Sequence, residues 1–385
     1  MCYDEKILAK CIVTEVIISS IIAMATVLGY ETVVSPLFAI SFLIPLIYVS
    51  RTVRSFPKEL LMLMVLCLLH VLFNGMQYGG MLRFDYLKKV IMFLSFIYLV
   101  YYAVDIRLCK AIYINLIKIA PVIAGVVMVV SYFYLGKTEV WGGGIILGFT
   151  NPNTAGMWLF HLILYGILYV LECPKKKIRL VYIPVIIALL RMLALTKTRS
   201  CYIALFFLAM LLCLRIFKIQ ANKFLCFVML LLPLVYALIY INIAYSDWFQ
   251  TKFAFMISEG KSLTSRVKIW KEAFEVIRNH FVLGDYYGIS NGTGVSQLHN
   301  THLDVLCSYG FIPFLLFIKI LYKCTVQTIE KANTFYKYAA FASFCAVLIM
   351  GTFEASIVSG AMGLNLLTIG FLVLATVDEE KMEEL

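Results

Sequence analysis

Apolar positions run along this chain in long unbroken stretches separated by short polar clusters. The strict alternation that marks half-buried strands is missing, and over most of the length so is the one-sided stripe of a soluble helix. About 20 apolar residues cross the ~30 Å hydrocarbon core of a bilayer as an α-helix, and a helix satisfies its own backbone there. The pattern predicts about twelve transmembrane helices, near residues 12–29, 33–49, 59–74, 90–104, 116–135, 154–171, 180–195, 200–217, 224–244, 303–322, 338–353 and 359–377. The expected fold is all-α, a polytopic helical membrane protein forming a single domain over residues 1–385.

One segment breaks the pattern. Residues 245–302, between the ninth and tenth expected spans, are polar over a length that no bilayer crossing requires. Within them Val267, Trp270, Phe274, Ile277 and Phe281 recur at helical spacing, and Lys268, Lys271, Glu272 and Glu275 fall on the other face. This predicts an amphipathic helix over about 265–281, lying on the membrane or on other spans.

Composition agrees. The chain is 62% hydrophobic and 14% charged, where a soluble domain carries roughly 25% charged residues. The net charge of +11 follows the loops rather than a nucleic-acid surface. Lysine and arginine crowd alternate loops, at Arg51, Arg54 and Lys58, at Lys175, Lys176, Lys177 and Arg179, and at Lys319, Lys323, Lys331 and Lys337. The positive-inside bias then puts both termini in the cytoplasm and 245–302 outside. The eleven cysteines are scattered through spans and short loops without a CxxC pair, so neither a disulfide framework nor structural zinc is expected. No small-residue cleavage site follows the first apolar run, which is expected to stay as a helix.

Several polar residues sit where they are expensive or exposed to the outer side. Arg266 falls in the first turn of the insert helix, where a cation opposes the helix dipole. A bound anion would relieve that cost, and a snorkelling arginine accounts for it equally well. Arg199 follows Thr198, a residue suited to cap the eighth span, and is either an anion ligand or an interfacial anchor. Arg191 lies inside the seventh span, about 9 Å below its outer end. An arginine at that depth marks either function or a structural ion pair, with Glu354 the expected partner. His299-Asn300-Thr301-His302 opens the tenth span. Near a helix N-terminus the cationic imidazole is disfavoured, which leaves a neutral ring able to act as a base. His299 and His302 both qualify.

Topology assigns Arg191, Arg199, Arg266 and His299 to one side of the membrane. Arg83, Lys88 and Lys89 run against the charge bias of the outer loops, either as anion contacts or as surface cations. Asn151-Pro152-Asn153 reads as a turn and cap, and His70, Asn74 and His161 as polar contacts between helices. No carboxylate pair or DxD motif occurs in the outer loops, so no metal and no cofactor is expected.

Ser265-Arg266, Trp270, Ala273 and Gly284, then His299-Asn300, Leu303 and Gly310 across a large outer loop, resemble the paired motifs of the O-antigen ligase/polymerase superfamily. Thr198-Arg199-Ser200 resembles its small-residue–arginine motif, with serine where glycine is usual. Asn151-Pro152-Asn153 is similar to a turn of capsule polymerases, and His302 stands where tyrosine is usual. By motif the resemblance runs from Asn151 to Gly310, and by topology over the whole chain.

The resemblance implies a GT-C-type membrane glycosyltransferase in a bacterial cytoplasmic (inner) membrane, with its active site on the extracytoplasmic side. Donor and acceptor would be oligosaccharides linked to a polyprenyl pyrophosphate such as undecaprenyl pyrophosphate. It implies His299 as general base and Arg266 and Arg199 in the pyrophosphate clamp, to which Arg191 is added from its depth in the seventh span. Asn300, His302, Trp270, Asn151 and Asn153 are the implied substrate-binding residues, and Arg83, Lys88 and Lys89 are expected beside them from their charge on the outer side. Beside the lipid bilayer, a flippase and a chain-length regulator of the same pathway are the implied partners, and nucleic acid is not.

The residue types suit that chemistry. Arginines hold pyrophosphate oxygens bidentately, and a neutral histidine can deprotonate an attacking sugar hydroxyl. The expected function is polymerisation of lipid-linked repeat units into O-antigen, capsule or exopolysaccharide by metal-independent glycosyl transfer. A ligase, passing glycan to another acceptor, shares these motifs and stays open. A transporter or lipid-linked glycan flippase is the reading of another class. Transporters tend toward two similar halves, whereas this insert follows the ninth expected span.

Overall fold

The computed structural model describes residues 3–27, 37, 57–77, 84–103, 107–134, 139–140, 144–149, 151–172, 175–217, 222–244, 246–252, 263–285, 298–354 and 362–376. Its helices are α1 (Tyr3–Val27), α2 (Lys58–Gln77), α3 (Phe84–Ala103), α4 (Arg107–Tyr134), α5 (Pro152–Glu172), α6 (Lys176–Thr196) and α7 (Arg199–Ile216). They continue with α8 (Lys223–Ala244), α9 (Asp247–Lys252), α10 (Leu263–Asn279), α11 (Thr301–Tyr309), α12 (Phe311–Lys331), α13 (Phe335–Met350) and α14 (Met362–Leu374). Between α4 and α5, β1 (Glu139–Val140) pairs antiparallel with β2 (Gly144–Ile145).

Among the described residues, seven helices are long and apolar enough to cross a membrane: α2, α4 to α8 and α12. Shorter apolar stretches at Val13–Ile22, Lys89–Tyr101, Phe335–Met350 and Leu364–Leu374 stand at four further expected spans. The expected second span, 33–49, lies outside the described residues except for Leu37. The molecule is an all-α polytopic membrane protein.

Helix α13 is the axis of the bundle. Every residue from Tyr336 to Met350 is buried, and α5, α7, α8, α12 and α14 pack around it. A helix apolar on all sides has to be surrounded in this way. The helices outside it leave large apolar side chains exposed, among them Leu72, Val126, Ile187, Phe206 and Ile239. Apolar surface of that extent belongs against lipid.

The expected tenth span, 303–322, is broken. Helix α11 stops at Tyr309 and α12 starts at Phe311. Gly310 between them has φ 82° and ψ −177°, a region essentially limited to glycine. A Cβ on Gly310 would lie 2.2 Å from Val282 O, and one on Gly284, at φ 68°, would lie 2.6 Å from Cys307 O. At this crossing Asp285 N–H donates to Cys307 O (2.7 Å) and Phe311 N–H donates to Phe281 O (2.9 Å). The end of the insert thus wedges into the break between two helices. Both sides of that break are apolar, so hydropathy alone runs straight through it.

Lys89 also differs from expectation. It was expected in an outer loop; it lies within α3 and is buried, with Nζ donating to Asp304 Oδ1 at 2.6 Å and to Ser308 Oγ at 3.3 Å on α11. A buried cation needs such a partner, and this one is 215 residues away in sequence. Arg83 and the side chain of Lys88 lie outside the described residues. The insert helix is α10, preceded by the short α9. Within the polar segment, residues 253–262 and 286–297 also lie outside the description.

Candidate active site

Glu354 ends the turn after α13 and is 4% exposed. Its carboxylate gathers residues from three other places in the chain. Oε1 accepts from Asn153 Nδ2 (2.9 Å), at the start of α5, and from Arg266 Nη2 (3.0 Å), in the first turn of α10. Oε2 lies 3.0 Å from His299 Nδ1, just before α11. Thr301 Oγ1 donates to the Glu354 backbone carbonyl at 3.3 Å. A buried carboxylate requires such partners.

The sequence around His299 holds it in place. His299 has φ 52°, a left-handed conformation that costs a non-glycine residue about 1–3 kcal/mol and persists only where its surroundings impose it. On one side Trp270 Nε1 donates to Leu298 O at 2.7 Å. On the other, Asn300 caps α11, its Oδ1 accepting from the N–H groups of His302 (3.1 Å) and Leu303 (3.0 Å). Asn300 Nδ2 donates to Pro233 O (2.9 Å) and Thr352 O (3.1 Å). A histidine that donates Nδ1–H to a carboxylate keeps its lone pair on Nε2. His299 and Arg266 are 28% and 27% exposed, so both remain within reach of a ligand.

The motif residues divide by this geometry. Trp270 is buried edge-on against Tyr240 and Tyr236 of α8, and the Ala273 carbonyl accepts from Cys307 Sγ–H at 3.4 Å. Together with Asn300, Gly284 and Gly310 they seat the insert, while Arg266 and His299 reach the carboxylate. His302 is 1% exposed and packs edge-on against Phe314 and Phe317. Of the two histidines, His299 is the accessible one.

The start of α5 joins the same cluster. Asn151 Oδ1 accepts from Asn153 N–H at 2.6 Å, and Asn153 reaches Glu354. Thr198 occupies the cap position of α7 without a side-chain cap bond. Its hydroxyl donates instead to Pro152 O at 3.1 Å, which clamps the α7 start, with the exposed Arg199, beside the α5 start. Arg191 is exposed on α6. The expected Arg191–Glu354 pair does not form, because Arg266 and His299 take that carboxylate. Lys89 is committed to Asp304 and Ser308 rather than to Glu354.

Glu354 is expected from the sequence only as an ion-pair partner of Arg191, and the structure makes it the centre of the cluster. The available signal was its charge at the end of an apolar run, which membrane segments tolerate only with partners.

Residues 183–318 match the family described as O-antigen ligase. The match runs from α6 into α12, and so contains Arg191, Arg199, Arg266 and His299 but neither Asn153 nor Glu354. Among curated proteins, none matches the chain.

Proposed function

We propose, from the match of residues 183–318 to the O-antigen ligase family, that the chain polymerises polyprenyl-pyrophosphate-linked oligosaccharide repeat units into surface polysaccharide. In this reading it is a glycosyltransferase of the bacterial cytoplasmic membrane. Both termini are cytoplasmic and the site faces the extracytoplasmic side. The observation that carries the reading is the carboxylate–histidine pair Glu354–His299 with Arg266 on the same carboxylate.

The acceptor sugar hydroxyl attacks the anomeric carbon of the donor. A new C–O bond forms as the bond to the pyrophosphate oxygen breaks. The hydroxyl proton passes to His299 Nε2, and Glu354 stabilises the resulting imidazolium through Nδ1–H, as a buried carboxylate does for a catalytic histidine. The electron pair leaves with the pyrophosphate, whose charge needs fixed donors. Arg199 and Arg191 supply them, and Arg266 keeps N–H groups beyond the one on Glu354, since a guanidinium carries five.

The family's description as O-antigen ligase favours a second reading, transfer of glycan to a different acceptor by the same chemistry. The deciding experiment supplies purified protein with lipid-linked repeat units as sole substrate and follows a polymer ladder. We expect a ladder from the wild type and a loss of ~10²–10⁴-fold in His299→Ala. Transfer only when a different acceptor is added would support the ligase. Full activity in His299→Ala would remove the base.

A further inference from the structure

We propose that the cavity between α8 and α10 binds the phosphate of a second, acceptor lipid, so that the chain holds two lipid-linked substrates on neighbouring faces of α10. The inference rests on the polymerase reading above. The cavity measures about 280 Å³. Leu238 and Ile241 of α8 and Phe274 of α10 form an apolar floor, while Lys271, Glu275 and Arg278 supply a rim with two cations and one anion. The floor continues into lipid-facing surface, since Leu238, Ile239 and Ile243 are 42%, 53% and 44% exposed on the last turns of α8. An apolar slot open to lipid under a net positive rim, at the end of a span, suits a phosphate headgroup with a chain attached.

At 100° per residue, Arg266, Trp270, Ala273 and Ile277 share one face of α10, the face turned to Glu354 and α11. Lys271, Phe274 and Arg278 lie roughly 100° around the same helix. A polymerase holds two lipid-linked substrates at once, and this slot places the second anchor one face of α10 away from Arg266. Its volume is just under the ~300–1,000 Å³ of sites for drug-sized ligands. It accommodates a phosphate head but not a repeat unit, whose sugars stay outside, toward His299.

The test is native mass spectrometry of the full chain in phosphatidylcholine nanodiscs, titrated to saturation with undecaprenyl pyrophosphate. We expect two equivalents bound to the wild type and one to Lys271→Gln/Arg278→Gln. Both residues are exposed, and an unchanged Tm verifies that the fold is intact. Arg191→Gln/Arg199→Gln should lose the other equivalent, and the fourfold variant both. One equivalent on the wild type, or two on Lys271→Gln/Arg278→Gln, overturns the proposal. So does displacement of the second equivalent by phosphatidylglycerol at matched mole fraction, which would mark a general anionic-lipid site. Two equivalents bound by a wild type that makes no polymer would support the lipid site and refute the polymerase reading instead.

Discussion

Replacing Glu354 with glutamine keeps its shape and removes its charge. The carboxylate accepts from Asn153 and Arg266 at Oε1 and pairs with His299 at Oε2. A glutamine accepts through one oxygen and donates through its amide nitrogen. If that oxygen stays with Arg266 and Asn153, the NH₂ faces His299 Nδ1 and forces the ring proton onto Nε2, where no base remains. If the oxygen turns to His299, Arg266 loses its carboxylate. A hydrogen bond to a charged group contributes about 1.5–3 kcal/mol, which is roughly 10–150-fold in rate. Loss of the base altogether is worth ~10²–10⁴-fold. We therefore expect Glu354→Gln to slow polymer formation by about 10²-fold or more, bounded by the value for His299→Ala. The assay compares polymer and consumed lipid-linked unit for Glu354→Gln, His299→Ala and the double variant at matched amounts of folded protein. Residues acting as one unit are not additive, so the double variant should be no slower than His299→Ala. Retention of more than half the wild-type rate in Glu354→Gln would refute the dyad. A double variant showing the product of the two single losses would mean that Glu354 acts independently of His299.

Arg191→Lys, Arg199→Lys and Arg266→Lys should each lose most polymer while inserting normally, because a lysine is a point charge where a guanidinium fork spans two phosphate oxygens; near wild-type ladders from all three would remove the clamp. Gly310→Ala should lower the Tm and the folded yield, since its Cβ overlaps Val282 O at a φ and ψ reserved for glycine; an unchanged Tm would contradict that crossing. Lys89→Met leaves Asp304 buried without its cation and should cost about 3–5 kcal/mol, with much of the loss recovered in Lys89→Met/Asp304→Leu; no recovery in a thermal-melt comparison would show that the pair is not the cause.

Element placement was legible because hydropathy is local. The expected helices at 154–171 and 180–195 correspond to α5 and α6, and the stripe from Val267 to Phe281 corresponds to α10. The motifs likewise pointed to Arg266 and His299, which the fold brings onto one carboxylate. The roles of the other motif residues were not legible. Trp270 and Asn300 look like ligands in a sequence, and only packing shows that their polar atoms are used on Leu298 O, Pro233 O and Thr352 O.

The sequence by itself determined that the chain is a bundle of membrane helices with a polar insert carrying an arginine and a histidine. Burial in lipid demands long apolar runs, and any departure from them stands out. Tertiary structure alone decided that Glu354 is the hub, that Lys89 is buried against Asp304, and that the chain breaks at Gly310. Each of these depends on which distant segments meet. A charged or kinked position in an apolar run is costly in isolation and becomes stable only through a partner that local pattern cannot name.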